Sequence, residues 1–182
     1  MRIISGSLGG RKIHPPAHMP HTRPTTDSAK EGLFNILENN LDLSALDCLD
    51  LFGGTGSISY ELASRGVKSL VTVEKDPVMH AFISKTLVDL KIENAKAIRQ
   101  EVFQYINQCT QKFDLIFAGP PYALAEIDEL PRQIFNKELL NTGGWFILEH
   151  TPRNNYSKFP NFRTERKYGT TLFSIFINRL PA

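Results

Sequence analysis

No apolar run in the 182-residue chain reaches the length of a membrane span, and its start shows no signal-peptide pattern. Those absences point to a cytoplasmic protein with no membrane partner. Cysteine is nearly missing. Cys48 and Cys109 lie far apart, each inside an apolar stretch; one disulfide is conceivable, but two buried thiols are the expectation. No Cys/His cluster has zinc-ligand spacing, so no metal is expected. Three of the five histidines, His14, His18 and His21, fall in a Pro/His-rich connector without an acid or cysteine beside them, and read as exposed loop residues. Internal repeats and low-complexity segments are absent as well. So are the G-x-G-x-x-G dinucleotide fingerprint and any Gly-Lys-Ser/Thr phosphate loop. Charge of one sign is scarce overall, with a net value of +2, but it is unevenly spread. Residues 1–30 carry +4, residues 31–149 carry −7, and residues 150–182 carry +5. An acidic body with two basic ends points to a polyanion gripped by the ends.

What is present is enough for one domain with a real core, since 41% of residues are hydrophobic. The chain is organised around Asp50-Leu51-Phe52-Gly53-Gly54-Thr55-Gly56. A strand-length apolar segment from Ala45 precedes it. A helical pattern with Ile58, Leu62 and Ala63 on one face follows it. Strand, glycine turn and helix start together make a site for a nucleotide-like ligand, because glycines let backbone come close and the helix end presents free N–H groups. Asp50 closes the strand where an acid could meet a cation such as an amino group. Glu74 ends the next strand, from Ser69, roughly 20 residues beyond the glycines, where an acid takes both hydroxyls of a ribose.

Strands and helices alternate through the middle of the chain. Arg2-Ile3-Ile4-Ser5 and Gly10-Arg11-Lys12-Ile13 predict a short basic hairpin. Thr26 or Asp27 caps a helix running to about Leu41, with Leu33, Phe34 and Leu37 inward. Further strands are expected at Ala95–Arg99, Phe113–Ala118 and Trp145–Glu149, and a closing hairpin at 163–167 and 172–178. The fold class is α/β and Rossmann-like, a mainly parallel seven-stranded sheet with a C-terminal antiparallel hairpin and a small N-terminal β-hairpin extension. Its ligands are expected at the carboxyl ends of the strands. Residues 1–26 form the basic hairpin and connector, and 27–182 the main domain.

The second chemical stretch is Gly119-Pro120-Pro121-Tyr122, at the end of the fourth strand. Two prolines leave carbonyls with few local donors and fix a rigid loop at the ligand end of the sheet. Such carbonyls can accept from an exocyclic amine, and Tyr122 offers a stacking face for a base.

With these stretches the chain resembles class I S-adenosylmethionine-dependent methyltransferases, and more narrowly the RsmD family, which methylates N2 of a guanine in small-subunit ribosomal RNA. The narrower resemblance rests on Arg2–Gly6, Arg11-Lys12, Arg23-Pro24-Thr25-Thr26-Asp27, Leu33–Leu37, the glycine turn, Pro120-Pro121-Tyr122 and Tyr168-Gly169-Thr170-Thr171. It implies S-adenosylmethionine as cofactor, held by Thr26, Asp50, Phe52, Gly53, Gly54, Gly56, Glu74 and Lys75, with Glu101 and Val102 at the adenine. It implies Gly119, Pro120, Pro121 and Tyr122 at the target amine. Arg11, Lys12, Arg23, Arg166 and Lys167 are the expected phosphate contacts, and ribosomal RNA or the small ribosomal subunit the expected partner of a monomer. One departure bears on chemistry: the family's loop usually begins with Asp, where this chain has Gly119. A carboxylate restored there is expected to raise turnover. Three other readings stay open: an RNA-binding homologue without turnover, a methyltransferase acting on another nucleic acid or a protein amide, and a nicotinamide-dependent oxidoreductase. The last lacks the glycine spacing and leaves Pro120-Pro121-Tyr122 unexplained.

Overall fold

Thr26 ends the connector as a helix cap. Its hydroxyl accepts the Ala29 N–H at 3.2 Å and starts α1 (Asp27–Asn40). The structure, a computed structural model, describes residues 1–17 and 24–179. Arg23, His18 and His21 therefore lie outside the described residues. After α1 and a 3-10 turn come β1 (Asp47–Leu51), α2 (Ser57–Ser64), β2 (Ser69–Glu74) and α3 (Pro77–Asp89). Then follow β3 (Ala95–Arg99), α4 (Val102–Gln108), β4 (Phe113–Ala118), α5 (Glu129–Asn136), β5 (Leu140–His150), β6 (Phe162–Tyr168) and β7 (Thr171–Ile177). Asp76 caps α3 through the Met79 N–H, with Pro77 at the first helical turn, where its missing donor costs nothing.

The seven strands form one sheet in the order β3-β2-β1-β4-β5-β7-β6. β1 to β5 are parallel, and β7 runs antiparallel to both β5 and β6. β1 and β4 are buried nearly throughout because helices cover both faces of the sheet. The chain reverses its direction across the sheet between β1 and β4, which opens a crevice at their carboxyl ends. Leu51 pairs with Ala118, so the glycine turn and the Pro-Pro loop leave the sheet side by side.

Three expectations change. The N-terminal hairpin is reduced to a single antiparallel bridge, Arg2 with Lys12. The reason is where its donors go: the N–H groups of Ile4 and Ser5 donate to the Glu61 carboxylate at 2.9 and 3.1 Å rather than to a facing strand. Gly6, at φ +86°, lies so close to the Ser64 carbonyl that a Cβ has no room. Ile3 and Ile13 are buried with Tyr60, Ile83 and Leu87, so this segment is packed onto α2 and α3. Cys109 is half-exposed rather than buried, and both thiols are free. β5 begins at Leu140, earlier than expected, because the strand continues through Gly143 at φ 80°. Among the described residues, no helix is long and apolar enough to cross a membrane.

Candidate active site

The crevice between β1 and β4 deepens into a cavity of about 750 Å³. That lies within the range of roughly 300–1,000 Å³ usual for small-ligand sites. Its wall brings together Asp50, Phe52, Gly53, Gly54, Glu74, Lys75, Glu101, Val102 and all of Gly119 to Tyr122. The two stretches singled out in the sequence, separated by more than one sheet crossover, therefore share one space.

The turn is shaped by backbone as much as by side chains. Phe52 has φ 61°, Gly54 φ 56° and Gly56 φ 84°. A left-handed phenylalanine is uncommon and costs on the order of 1 kcal/mol, so the surrounding contacts hold it there. Gly53 presses on β2: its N–H donates to the Val73 carbonyl at 2.9 Å, and a Cβ would meet Thr72 Cγ2 at 2.5 Å. The turn presents Gly54, whose N–H donates to Glu74 Oε2 at 2.7 Å. Glu74 Oε1 accepts the Asp76 N–H at 3.0 Å. Both oxygens are thus aimed by backbone, and each keeps a second lone pair. Glu101 caps α4, accepting the Phe103 and Gln104 N–H groups, while Val102 is buried against the same cavity. The Gly119 N–H donates to the Leu51 carbonyl at 3.3 Å, tying the second loop to β1.

Two residues assigned to the cofactor lie elsewhere. Thr26 is exposed and caps α1; its neighbour Thr25 lines the cavity instead. Gly56 starts α2 beneath the turn, where a Cβ would strike the Tyr60 ring, so its glycine answers to packing. Asp50 is more deeply buried than a cation contact needs, at 1% exposed, and its Oδ2 accepts from the Ser59 hydroxyl at 2.6 Å. Sequence reasoning passed over Glu149. It stands next to last in β5, one residue before His150, much as Glu74 closes β2, so the same rule, an acid at the end of an apolar strand, could have found it. It is 4% exposed, and its Oε1 accepts from Thr25 Oγ1 at 2.9 Å.

Burial pushes the carboxyl of Asp50 up to about 7, with the Ser59 hydrogen bond opposing and nearby Glu74 and Glu149 adding to the rise. Burial likewise pushes Glu149 up to about 7, against the Thr25 hydrogen bond. A carboxyl raised in the folded state binds its proton more tightly there than in the unfolded chain, at about 4. Its contribution to stability is therefore lost as pH rises from about 4 through 7. Asp50→Asn, which keeps an acceptor for Ser59, should melt above wild type at pH 8 and gain less at pH 5. Thermal unfolding at the two pH values checks this; an equal shift at both would mean Asp50 carries its charge without penalty.

Of the expected phosphate contacts, Arg11, Lys12, Arg166 and Lys167 are exposed. Lys167 pairs with Leu172, and Leu172 with His150, so Lys167 stands at the cavity end of the sheet. Arg11 and Lys12 lie on the N-terminal segment over α2 and α3. Both basic segments touch α1: Lys30 Nζ donates to the Arg2 carbonyl at 2.8 Å, and Tyr168 packs against Gly32.

Residues 1–177 match the family described as conserved hypothetical protein 95. The ribosomal RNA small subunit methyltransferase D of Buchnera aphidicola subsp. Baizongia pistaciae is 29% identical over 182 residues, covering 98% of this chain and 92% of its own. The protein of the same name from Escherichia coli K12 is 31% identical over 149 residues, 82% of this chain and 71% of its own. The solved structure of yhhF from Escherichia coli has a TM-score of 0.86 to this chain at 25% identity and covers 98% of each.

Proposed function

The chain belongs to the RsmD family of S-adenosylmethionine-dependent methyltransferases, and on that premise we propose that it methylates the exocyclic N2 amine of a guanine in small-subunit ribosomal RNA. The observation that supports this most is the shared cavity: Glu74 and the glycine turn line it together with Gly119-Pro120-Pro121-Tyr122. The residues fit the cofactor. Glu74, aimed by two backbone N–H groups, has lone pairs for two neighbouring ribose hydroxyls. Glu101 and Val102 supply an acceptor and a backbone donor for the adenine edge. Asp50 supplies negative charge toward a ligand carrying a cation. When bound, S-adenosylmethionine supplies an electrophilic methyl group on a sulfonium.

The protein's share of the chemistry is largely positioning. A guanine amine is a weak nucleophile because its lone pair is delocalised into the ring. Acceptors on its N–H groups favour the pyramidal form and stabilise the charge that develops on nitrogen. The loop opened by Gly119 holds the base beside the turn, and Tyr122 stacks on it. The exposed Arg11, Lys12, Arg166 and Lys167 contact phosphates, and α1 joins the two basic segments.

The test is tritiated methyl transfer from S-adenosylmethionine to small ribosomal subunits, and to their naked RNA, from cells lacking the enzyme. The expected label is on N2 of one guanine. Label on another base, or on protein, would overturn the substrate assignment.

A further inference from the structure

Gly119 brings no side chain to the loop that faces the amine, yet the space beside it is filled. A Cβ built on Gly119 would come to 3.1 Å from Glu149 Oε2 and 3.1 Å from Phe117 Cε1. Strand register explains the approach: Ala118 pairs with Leu148, so the next residues on the two parallel strands, Gly119 and Glu149, end up adjacent. Gly119 is not among the left-handed residues, so what limits a side chain there is Glu149 and Phe117 rather than its backbone. Glu149 is held from the far side, where Thr25 donates to Oε1. Among the described residues Oε2 has no hydrogen-bond donor, and Glu149 lines the same cavity as Pro120, Pro121 and Tyr122.

Resting on the methyltransferase reading above, we infer that Glu149 Oε2 is the catalytic acceptor for the target amine, a carboxylate delivered from β5 into the place that a side chain at position 119 would occupy. The nitrogen lone pair forms the new N–C bond while the C–S bond breaks and leaves its electron pair on sulfur, which becomes a neutral thioether. The nitrogen, now positively charged, gives one N–H proton to Glu149, whose carboxylate becomes the neutral acid and later returns the proton to water. An acid whose burial sets it near neutrality suits that task, since proton transfer is most effective when donor and acceptor are matched to the working pH. Thr25 fixes the carboxylate's orientation.

This assignment also reverses the expectation for Gly119→Asp. A second carboxylate would touch Glu149 Oε2, and two carboxylates sharing a site cannot both ionise. The substitution should therefore lower thermal stability at pH 8 and give no gain in turnover. In a Glu149→Ala background the same substitution should cost little stability and restore much of the turnover that Glu149→Ala removes.

Glu149→Gln keeps an oxygen for Thr25 and loses only the charge. On subunit RNA it should lower kcat by about 10²–10³, the size of effect seen when one preorganised electrostatic group is removed. Affinity for S-adenosylhomocysteine by calorimetry should stay within about threefold, because the interaction is realised in the transition state. Thr25→Val is the control for a holding role. Turnover of Glu149→Gln near wild type would overturn the inference, as would an equal kcat loss in Thr25→Val, which would make Glu149 an anchor for the connector. An equal melting penalty for Gly119→Asp with and without Glu149 would also overturn it, without any activity measurement. Wild-type protein that labels no RNA would overturn the methylation reading and this inference together, whereas an active wild type with an active Glu149→Gln overturns the inference alone.

Discussion

Glu61→Ala is expected to lower folding stability by about 3–5 kcal/mol, the range for removing one partner of a buried ion pair. Glu61 sits on α2 between Tyr60 and Leu62 and is fully buried. Its carboxylate accepts the N–H groups of Ile4 and Ser5 and pairs with Arg65 at 2.9 Å and Lys30 at 3.5 Å. Lys30 is 1% exposed, and its Nζ donates to the Arg2 carbonyl and to Ser57 Oγ at 3.1 Å. Burial pulls Lys30 below the usual lysine range, and Glu61 and Asp27 oppose that pull. Alanine at 61 would leave a buried ammonium, part of a guanidinium and two backbone donors without their acceptor, and each deficit is costly. The damage would reach the site, since Ser57 lines the cavity and residues 1–17 would lose their tether. Urea denaturation should give a lower midpoint, and limited proteolysis should cut first within residues 1–17. A stability loss below about 1 kcal/mol would mean that water reaches Lys30 and Arg65 and that the network is an exposed one in effect.

Glu61 also marks where sequence reasoning stops. Elements whose signals are local were legible. Ser69–Glu74, Ala95–Arg99 and Phe113–Ala118 begin and end where the apolar runs do, because turn residues and helix caps bound them. The glycine turn and Glu74 were legible for the same reason: both belong to one strand–turn–helix–strand unit. A buried glutamate on a helix, with Arg65 one turn on, reads locally as an ordinary surface ion pair, since the backbone donors that hold it lie 56 and 57 positions away. Glu149 reads as the last residue of a strand until Thr25, 124 positions earlier, is seen to donate to it. Thr25 and Thr26 are neighbours of one type, and only the cap geometry tells which faces the helix and which the cavity. Gly119 read as a loss because a missing side chain is visible in the sequence, whereas the group that fills its place arrives from the next strand.

Glu74→Ala is expected to weaken S-adenosylhomocysteine binding by roughly 10–100-fold, from about 1.5–3 kcal/mol for a hydrogen bond to a charged group. The cost has two parts. In the proposed binding mode the ribose loses its charged acceptor; Glu101, a cavity carboxylate also held by two backbone donors, caps α4 rather than standing beside the glycine turn. The Gly54 N–H, 2.7 Å from Glu74 Oε2, loses its partner in a turn where Phe52 and Gly54 are both left-handed. That turn is held in an unfavourable backbone conformation partly by this contact, so its order should fall and add to the lost affinity. Glu74→Gln separates the two parts. It keeps an oxygen for Gly54 but loses the charge, and should fall between wild type and alanine. The strand itself should survive, because Glu74 is half-buried at the end of β2 and its backbone pairs with Arg99 whatever side chain it carries. Calorimetry with S-adenosylhomocysteine, alongside circular dichroism, measures both. A well-folded Glu74→Ala with unchanged affinity would mean that the nucleoside is held by the Pro-Pro loop or by α4, and the orientation of the cofactor in the cavity would have to be turned end for end.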